Sequence, residues 1–171
     1  MSCTSLVNIL KGCDSNIGGV SKVYINDMAN IIAEDEVVVP ADHELSSRTV
    51  TSPYIEFEFS RNVSSFTEEA QINFENGSSF WMTTVAIKLF KREAAKSRAI
   101  QIAGQGQRDL SLIVLDANGI YWDVPFARLT TDANGSGTAK ADGSAYDITF
   151  TAENTHKLYV VDPTIIAGLL D

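Results

Sequence analysis

The stretch that most constrains the fold runs from residue 66 to residue 103, where two strand patterns and a helical pattern follow one another directly. From Phe66 to Phe74 apolar and polar residues alternate, with Glu68 as the only break. This period of two is typical of a strand with one face in the core and one face in water. The wet face consists of Thr67, Glu69, Gln71, Asn73 and Glu75. Asn76-Gly77 supplies the positive φ angles of a tight turn, so the pattern predicts a β-hairpin.

The returning strand, Ser79 to Phe90, is apolar on both of its faces. One face carries Trp81, Val85, Ile87 and Leu89, and the other carries Phe80, Met82, Ala86 and Phe90. Such a strand is either buried on both sides or covered by another chain. Next, Arg92 to Ile102 places Ala95, Ala99 and Ile102 at spacings of four and three residues, which predicts a short amphipathic helix lying on the sheet.

The remainder of the 171 residues contains mostly short strand patterns separated by Asn-Gly and Asp-Gly turns. We therefore expect a mainly β fold, a small β-sandwich or barrel with one short α-helix and extended N- and C-terminal arms. The length fits a single domain over residues 1–171. Its expected parts are an N-terminal arm (1–19), a β core (20–152) and a C-terminal arm (153–171). Residues 41–53 show no periodicity and are expected to form a loop.

The sequence carries no recognisable catalytic, cofactor-binding or metal-binding motif. His43 and His156 have no second ligand at metal-binding spacing, so each is expected to be a solitary surface histidine. Glu56 and Glu58 share one strand face about 7 Å apart, which suits an acid–base pair, but an exposed acidic face is the simpler expectation. Cys3 and Cys13 could pair, although reduced thiols are the expected state.

Charge and hydropathy exclude two further classes. No apolar run reaches the roughly 20 residues of a membrane-spanning helix, so no membrane association is expected. The net charge of −9 argues against a free nucleic-acid-binding protein, which normally presents a basic surface. A local basic cluster is interpreted as a solvated or interface-facing helix flank; it comprises Lys88, Lys91, Arg92, Lys96 and Arg98.

Two segments resemble a known family. The first is Gly12 to Ile25, a polar stretch that ends in Gly18-Gly19 and continues as a strand. The second runs from Leu112 to Trp122, with Asn118-Gly119 and Tyr121-Trp122, and then from Gly135 through a glycine-rich loop to the final strand ending at Glu153. This order of turns and aromatic residues, over about half of the chain, is similar to that of the tail tube (major tail) proteins of bacteriophages.

The resemblance implies a structural virion protein without enzymatic activity or cofactor. Such proteins self-assemble into rings, usually hexameric, that stack into a hollow tail tube, together with other phage tail proteins. Double-stranded DNA passes through the lumen transiently and without specific binding. The protein would be assembled in the host cytoplasm and reside in the virion tail. The alternative within the same fold is a tail-tip or connector protein.

Within this hypothesis we assign two sets of residues. Polar residues of the wet face, with two further carboxylates, are expected to line the lumen: Glu56, Glu58, Glu69, Gln71, Asn73 and Glu75. Apolar residues of the returning strand and of the C-terminal arm are expected to meet neighbouring subunits: Trp81, Val85, Ile87, Leu89, Ile165, Ile166, Leu169 and Leu170. A like-charged wall would let the duplex slide instead of adhering to it.

A different class of function also fits the sequence. A monomeric carbohydrate- or ligand-binding β-sandwich could use Trp81, Tyr121 and Trp122 as a binding platform. Oligomerisation separates the two hypotheses, since a binding module stays small whereas a tube protein forms rings or filaments without a ligand.

Overall fold

A computed structural model describes residues 15–37, 43–60 and 62–171. The expectations for Cys3, Cys13 and most of the N-terminal arm lie outside the described residues.

Two β-sheets form the body of the protein. In chain order the strands are β1 (Val20–Asp27), β2 (Ile31–Val37), β3 (Glu44–Val50), β4 (Ile55–Phe57), β5 (Ser65–Ile72), β6 (Ser79–Phe90), β7 (Leu110–Asp116), β8 (Tyr121–Gly135), β9 (Ala145–Asn154) and β10 (Tyr159–Val161). The helices are α1 (Ala94–Gly104) and α2 (Pro163–Leu170). Sheet A has the order β2-β3-β10-β8-β7-β1-β4, and sheet B has the order β5-β6-β9-β8.

Strand β8 belongs to both sheets. Its first half pairs with β7 and β10, and its second half, from Arg128, pairs with β9. Between the halves, Phe126 has a φ of 54°, a conformation that is costly for a residue with a side chain. This bend turns the strand from one sheet into the other, so that the sheets face each other as a sandwich and do not close into a barrel.

The core lies between the inner faces of the two sheets. β1, β7 and the first half of β8 contribute from sheet A, and β6 and β9 contribute from sheet B. Its fully covered residues include Val23, Leu112, Val85, Ile148 and Phe150. Each of these strands alternates buried and more exposed residues, or is buried on both faces where sheet A is covered again from outside. The expected mainly β, sandwich-like fold is confirmed.

A second apolar cluster lies on the outer face of sheet A, where α2 packs. Ile166 and Leu169 of the helix are buried with Leu45, Tyr54 and Val161. Pro163 occupies the first helical position, and Asp162 caps the helix by accepting a hydrogen bond from Thr164 N–H at 2.8 Å. The backbone N–H and the side chain of Thr164 both donate hydrogen bonds to the Asp162 carboxyl, and they lower its pKa.

The expected C-terminal arm is therefore part of the folded body. Residues from 153 onward complete β9, form β10 and then form α2 on sheet A. The apolar C-terminal residues do pack on a sheet, but it is sheet A of the same chain and not a neighbouring subunit. The structure also corrects the expected loop at 41–53, because residues 44–50 form β3.

The hairpin turn and α1 also depart from the expectations. Residues 73–78 form a longer connection closed by Asn73 N–H to Ser78 O, and only Gly77 in it has a positive φ. Asn73 and Glu75 consequently lie in the turn, beyond the end of β5. In α1 the buried residue is Ile100, while Ala95, Ala99 and Ile102 are exposed. Within the described part of the chain, no helix is long and apolar enough to cross a membrane.

A candidate assembly surface on sheet B

The outer face of sheet B carries rows of polar side chains that cross its strands. Strand register places Glu69 opposite Met82, and Met82 opposite Glu153, so that one row crosses β5, β6 and β9. A neighbouring row runs Thr67, Thr84, Thr151 and Arg128. Glu69, Thr67, Glu153 and Arg128 are exposed, whereas the inward residues between them on β6 and β9, such as Thr83 and Ala152, are buried. This face is therefore the side of the sandwich that contacts solvent.

Most cations on this face are matched by carboxylates. Lys88 Nζ lies 3.2 Å from Asp147 Oδ1, on the row where the two residues are directly paired. Arg128 Nε donates to Asp109 Oδ1 at 2.6 Å, and this hydrogen bond raises the pKa of the guanidinium. Because Lys88 and Arg128 are each paired with a carboxylate, Glu69 and Glu153 leave this face with a net negative charge.

Neither lateral edge of sheet B has a further strand partner among the described residues. β5 pairs with β6 alone, and the second half of β8 pairs with β9 alone. An edge strand presents unpaired N–H and C=O groups that can pair with another chain. The inner side of β5 is anchored, because Glu68 accepts the Leu158 backbone N–H at 2.8 Å. That contact explains the one polar residue in the apolar alternation of β5.

The residues expected to line a lumen are only partly brought together. Glu69 and Gln71 lie on the outer face of sheet B, and Asn73 and Glu75 follow in the turn. Glu56 lies on β4 of sheet A, where it binds Lys22 Nζ at 2.6 Å and raises the pKa of that ammonium. Glu58 follows β4 directly. Because β4 belongs to the other sheet, these two carboxylates do not share a surface with Glu69.

The residues expected at a subunit interface are largely covered by the chain itself. Val85, Ile87 and Leu89 point between the sheets and are at most 5% exposed. Ile166 and Leu169 of α2 are buried against sheet A, whereas Trp81, Ile165 and Leu170 are half-buried. The physical reason is that odd-numbered residues of β6 face the core. We therefore correct this assignment: the inner face of β6 is a folding surface, and its other face is half-exposed.

Three exposed features stand out from the polar surface. The hairpin tip carries Phe74, whose side chain is 93% exposed. A groove of about 450 Å³ lies between α1 and β4 and is mostly apolar; it is lined by Ile55, Glu56, Phe57, Glu58, Leu89, Ala95, Lys96, Ala99 and Ile100. A smaller, more polar hollow of about 360 Å³ surrounds the exposed ring of Phe126 at the bend of β8.

A buried polar network lies beneath α2, and no sequence motif indicates it. Arg48 on β3 makes a bidentate ion pair with Asp123 on β8, at 2.7 and 2.8 Å. Arg48 also donates to Tyr54 and to Ser111, and Tyr54 Oη lies 2.8 Å from Ser111 Oγ. Burial is the main cause that raises the pKa of the Tyr54 hydroxyl. Only the strand alternation within 44–50, which is weak, could have placed Arg48 inside.

The structure assembles no chemistry-bearing constellation from the other candidates. The rings of His43 and His156 each lie 4.4 Å from the ring of Tyr159, and no group of three metal-ligating side chains occurs among the described residues. The aromatic platform of the ligand-binding hypothesis does not form. Trp122 packs against Phe66 in the core, whereas Tyr121 stacks on Tyr24 on the opposite face of sheet A.

No protein-family model matches the sequence, and no curated protein matches it.

Proposed function

We propose that the protein is a structural subunit of a bacteriophage tail tube, which self-assembles into stacked rings around a conduit for double-stranded DNA. It acts without catalysis and without a cofactor, as part of the virion tail and alongside other tail proteins. The sequence resemblance described above suggests the class, and rings of that class are usually hexameric. The geometry of sheet B supports the proposal.

The observation that carries the proposal is a four-stranded sheet with two free edges and one solvent-facing side. Pairing β5 of one copy with the second half of β8 of the next copy would continue the sheet from subunit to subunit. Such a contact joins two different patches, so it is heterologous and gives a closed ring when the rotation between copies closes. Ring closure would also remove both exposed edges, which are otherwise sites of uncontrolled association.

The charge of the uncovered side suits a conduit. In a ring closed through the edges of sheet B, the side that carries Glu69 and Glu153 would face the lumen, and the side packed in the sandwich would face outward. DNA is attracted to surfaces where Lys and Arg neutralise phosphates. Here Lys88 and Arg128 are bound to Asp147 and Asp109. The duplex would therefore meet a wall of like charge, consistent with the net charge of −9.

The first experiment determines the oligomeric state of the purified protein by light scattering and negative-stain imaging over a range of concentrations. Rings or tubes with a central hole are expected. A monodisperse monomer at every concentration, in the presence and absence of tail-derived nucleating complexes, would contradict the proposal.

Edge pairing is tested with single prolines at Glu69 and Ala70. Of two adjacent residues on an edge strand, one directs its N–H to the neighbouring strand and the other directs it outward. Proline is tolerated only at the outward position. The variant that keeps the urea midpoint of the unmodified protein should remain monomeric, while Glu69→Ala should still assemble. Rings formed by the stable proline variant would refute pairing through β5.

The lumen assignment is tested with Glu69→Lys combined with Glu153→Lys. Tubes of this variant should retain DNA at low salt and release it as salt rises, because the added cations contact phosphates. Asp171→Lys, an exposed residue at the end of α2 on the outer face of sheet A, is the matched control and should not retain DNA. Equal retention by the control would place the lumen elsewhere.

A further inference from the structure

The hairpin tip between β5 and β6 holds an aromatic side chain that none of the described residues covers. Phe74 is 93% exposed, and Ile72 at the end of β5 is 57% exposed. The tip is nevertheless an ordered turn, since Asn73 Oδ1 accepts from Glu75 N–H at 2.9 Å, and Asn76 Oδ1 accepts from Ser78 N–H at 3.0 Å. A large aromatic ring held out by such a turn is costly to leave in water.

The groove between α1 and β4 is an apolar recess on the same molecule. Leu89 and Ile100 form part of its lining, and Ile55 at its edge is 65% exposed. Ala95 and Ala99 face it with small side chains, so the helix leaves space next to β4. Its volume of about 450 Å³ can accommodate an aromatic ring together with adjoining side-chain atoms.

The tip cannot fill this groove within one chain. The turn directly precedes Ser79, the first residue of β6, whereas Leu89 near the last residue of that strand lines the groove. Ten residues of extended strand separate the two positions by about 33 Å. A projection and a recess at opposite ends of one strand can meet only when a second copy approaches end to end.

We propose that Phe74 of one copy inserts into the groove between α1 and β4 of a second copy, making an end-to-end contact that runs along the strands. This inference rests on the proposed self-assembly and deepens it by naming the partner surface. The projection and the recess are different patches, so the contact is heterologous and can propagate from copy to copy. The lateral edge pairing runs across the strands, and the tip contact therefore joins one ring to the next.

The size of the contact predicts how it behaves. An aromatic side chain buries about 150–250 Å², whereas stable protein–protein interfaces bury about 1,200–2,000 Å². A single tip is therefore too small to hold two free copies together. When several copies are joined in a ring, all tips engage the next ring together, and their combined binding is far stronger. Stacking should thus follow ring formation.

Phe74→Asp tests the contact by imaging. Because the ring is almost fully exposed, this variant should fold with an unchanged urea midpoint. It should form single rings and lose the stacked tubes. Ile32→Asp is the matched control, since Ile32 on β2 is 64% exposed and lies outside both patches. Tubes formed normally by Phe74→Asp, or lost equally in Ile32→Asp, would overturn the inference while leaving the ring proposal intact.

Cysteine cross-linking tests the same contact without reliance on tubes. In a background with Cys3 and Cys13 replaced by serine, one protein keeps Phe74 and carries Glu75→Cys beside it, and a second carries Ala99→Cys. Mixed under mild oxidation, they should form a disulfide-linked pair in much higher yield than Glu75→Cys mixed with Ile32→Cys. Equal yields would overturn the contact. If the unmodified protein forms no rings at any concentration, the ring proposal fails, and this comparison at high concentration still decides the tip contact.

Discussion

Breaking the buried ion pair beneath α2 should be among the most damaging single changes in this protein. The side chains of Arg48 and Asp123 are 1% and 4% exposed, and two short hydrogen bonds join them. Asp123→Ala leaves the guanidinium buried without its counter-charge. Removal of one partner of a buried pair costs about 3–5 kcal/mol, because an uncompensated charge remains in a poorly solvated site. A domain of this size is stable by about 5–15 kcal/mol, so the loss is a large share of the total.

Urea unfolding followed by fluorescence or circular dichroism measures this loss. With a slope of about 2 kcal/mol per molar urea, the midpoint should fall by about 1.5–2.5 M. The double variant Arg48→Met with Asp123→Leu removes both charges and should recover much of the stability, since apolar replacement of a buried pair is often neutral or stabilising. Arg48→Met alone should stay less stable than the double variant.

The comparison separates burial of charge from simple loss of contacts. If Asp123→Ala lowered the midpoint by less than about 0.5 M, the pair would be solvated and the reasoning from burial would be wrong. If the double variant were less stable than both single variants, the network would contribute through its geometry, including the contacts with Tyr54 and Ser111, and not through charge compensation.

Three further predictions follow from individual contacts. Ile87→Asp places a carboxylate in the core between the sheets and should unfold the monomer itself, visible by circular dichroism; a folded variant defective only in assembly would return Ile87 to an interface. Burial raises the pKa of Tyr54 in the folded state, so its contribution to stability should be full below about pH 10 and should be lost as the pH rises above that, where the unfolded chain loses the proton first. Tyr54→Phe should therefore reduce the fall of the urea midpoint with rising pH. An equal fall in the variant would show that Tyr54 is not its cause. Gly137→Ala should destabilise more than Gly143→Ala, although both have positive φ, because its Cβ would lie 2.6 Å from Asp142 Cβ and from Gly143 O whereas Gly143 has open space; equal thermal midpoints would contradict this.

Local periodicity was sufficient to locate most strands but not their partners. The alternation around Glu69 predicts β5, because a residue's face in a strand follows directly from its position. The order β5-β6-β9-β8 depends on contacts between distant residues, which one sequence does not contain. The second half of β8 is polar, and its continuation as a strand depends on pairing with β9 and on the bend at Phe126, which local periodicity does not show.

The candidate surface was predicted less well than the fold, for two physical reasons. A strand with apolar residues on both faces does not reveal which face the chain covers itself, and in β6 the covered face is the one that carries Ile87. The pattern of strand β3 is weak because one of its two buried residues is Arg48, whose charge is balanced by Asp123 from 75 residues further along the chain. Hydrophobic patterning identifies only buried apolar residues, so it does not predict burial of a charged residue that is paired in this way.

The outer face of β6 explains how one strand can be apolar on both sides without a second core. Phe80 and Met82 are half-buried on that face, although no strand of the described residues lies over it. Met82 stands between Glu69 and Glu153 in one row, and long carboxylate side chains cover apolar neighbours with their methylene groups while their charge stays in water. In the proposed tube this arrangement gives the wall two properties together. The apolar residues stiffen the sheet between its two edges, and the carboxylates above them keep the surface presented to DNA negative.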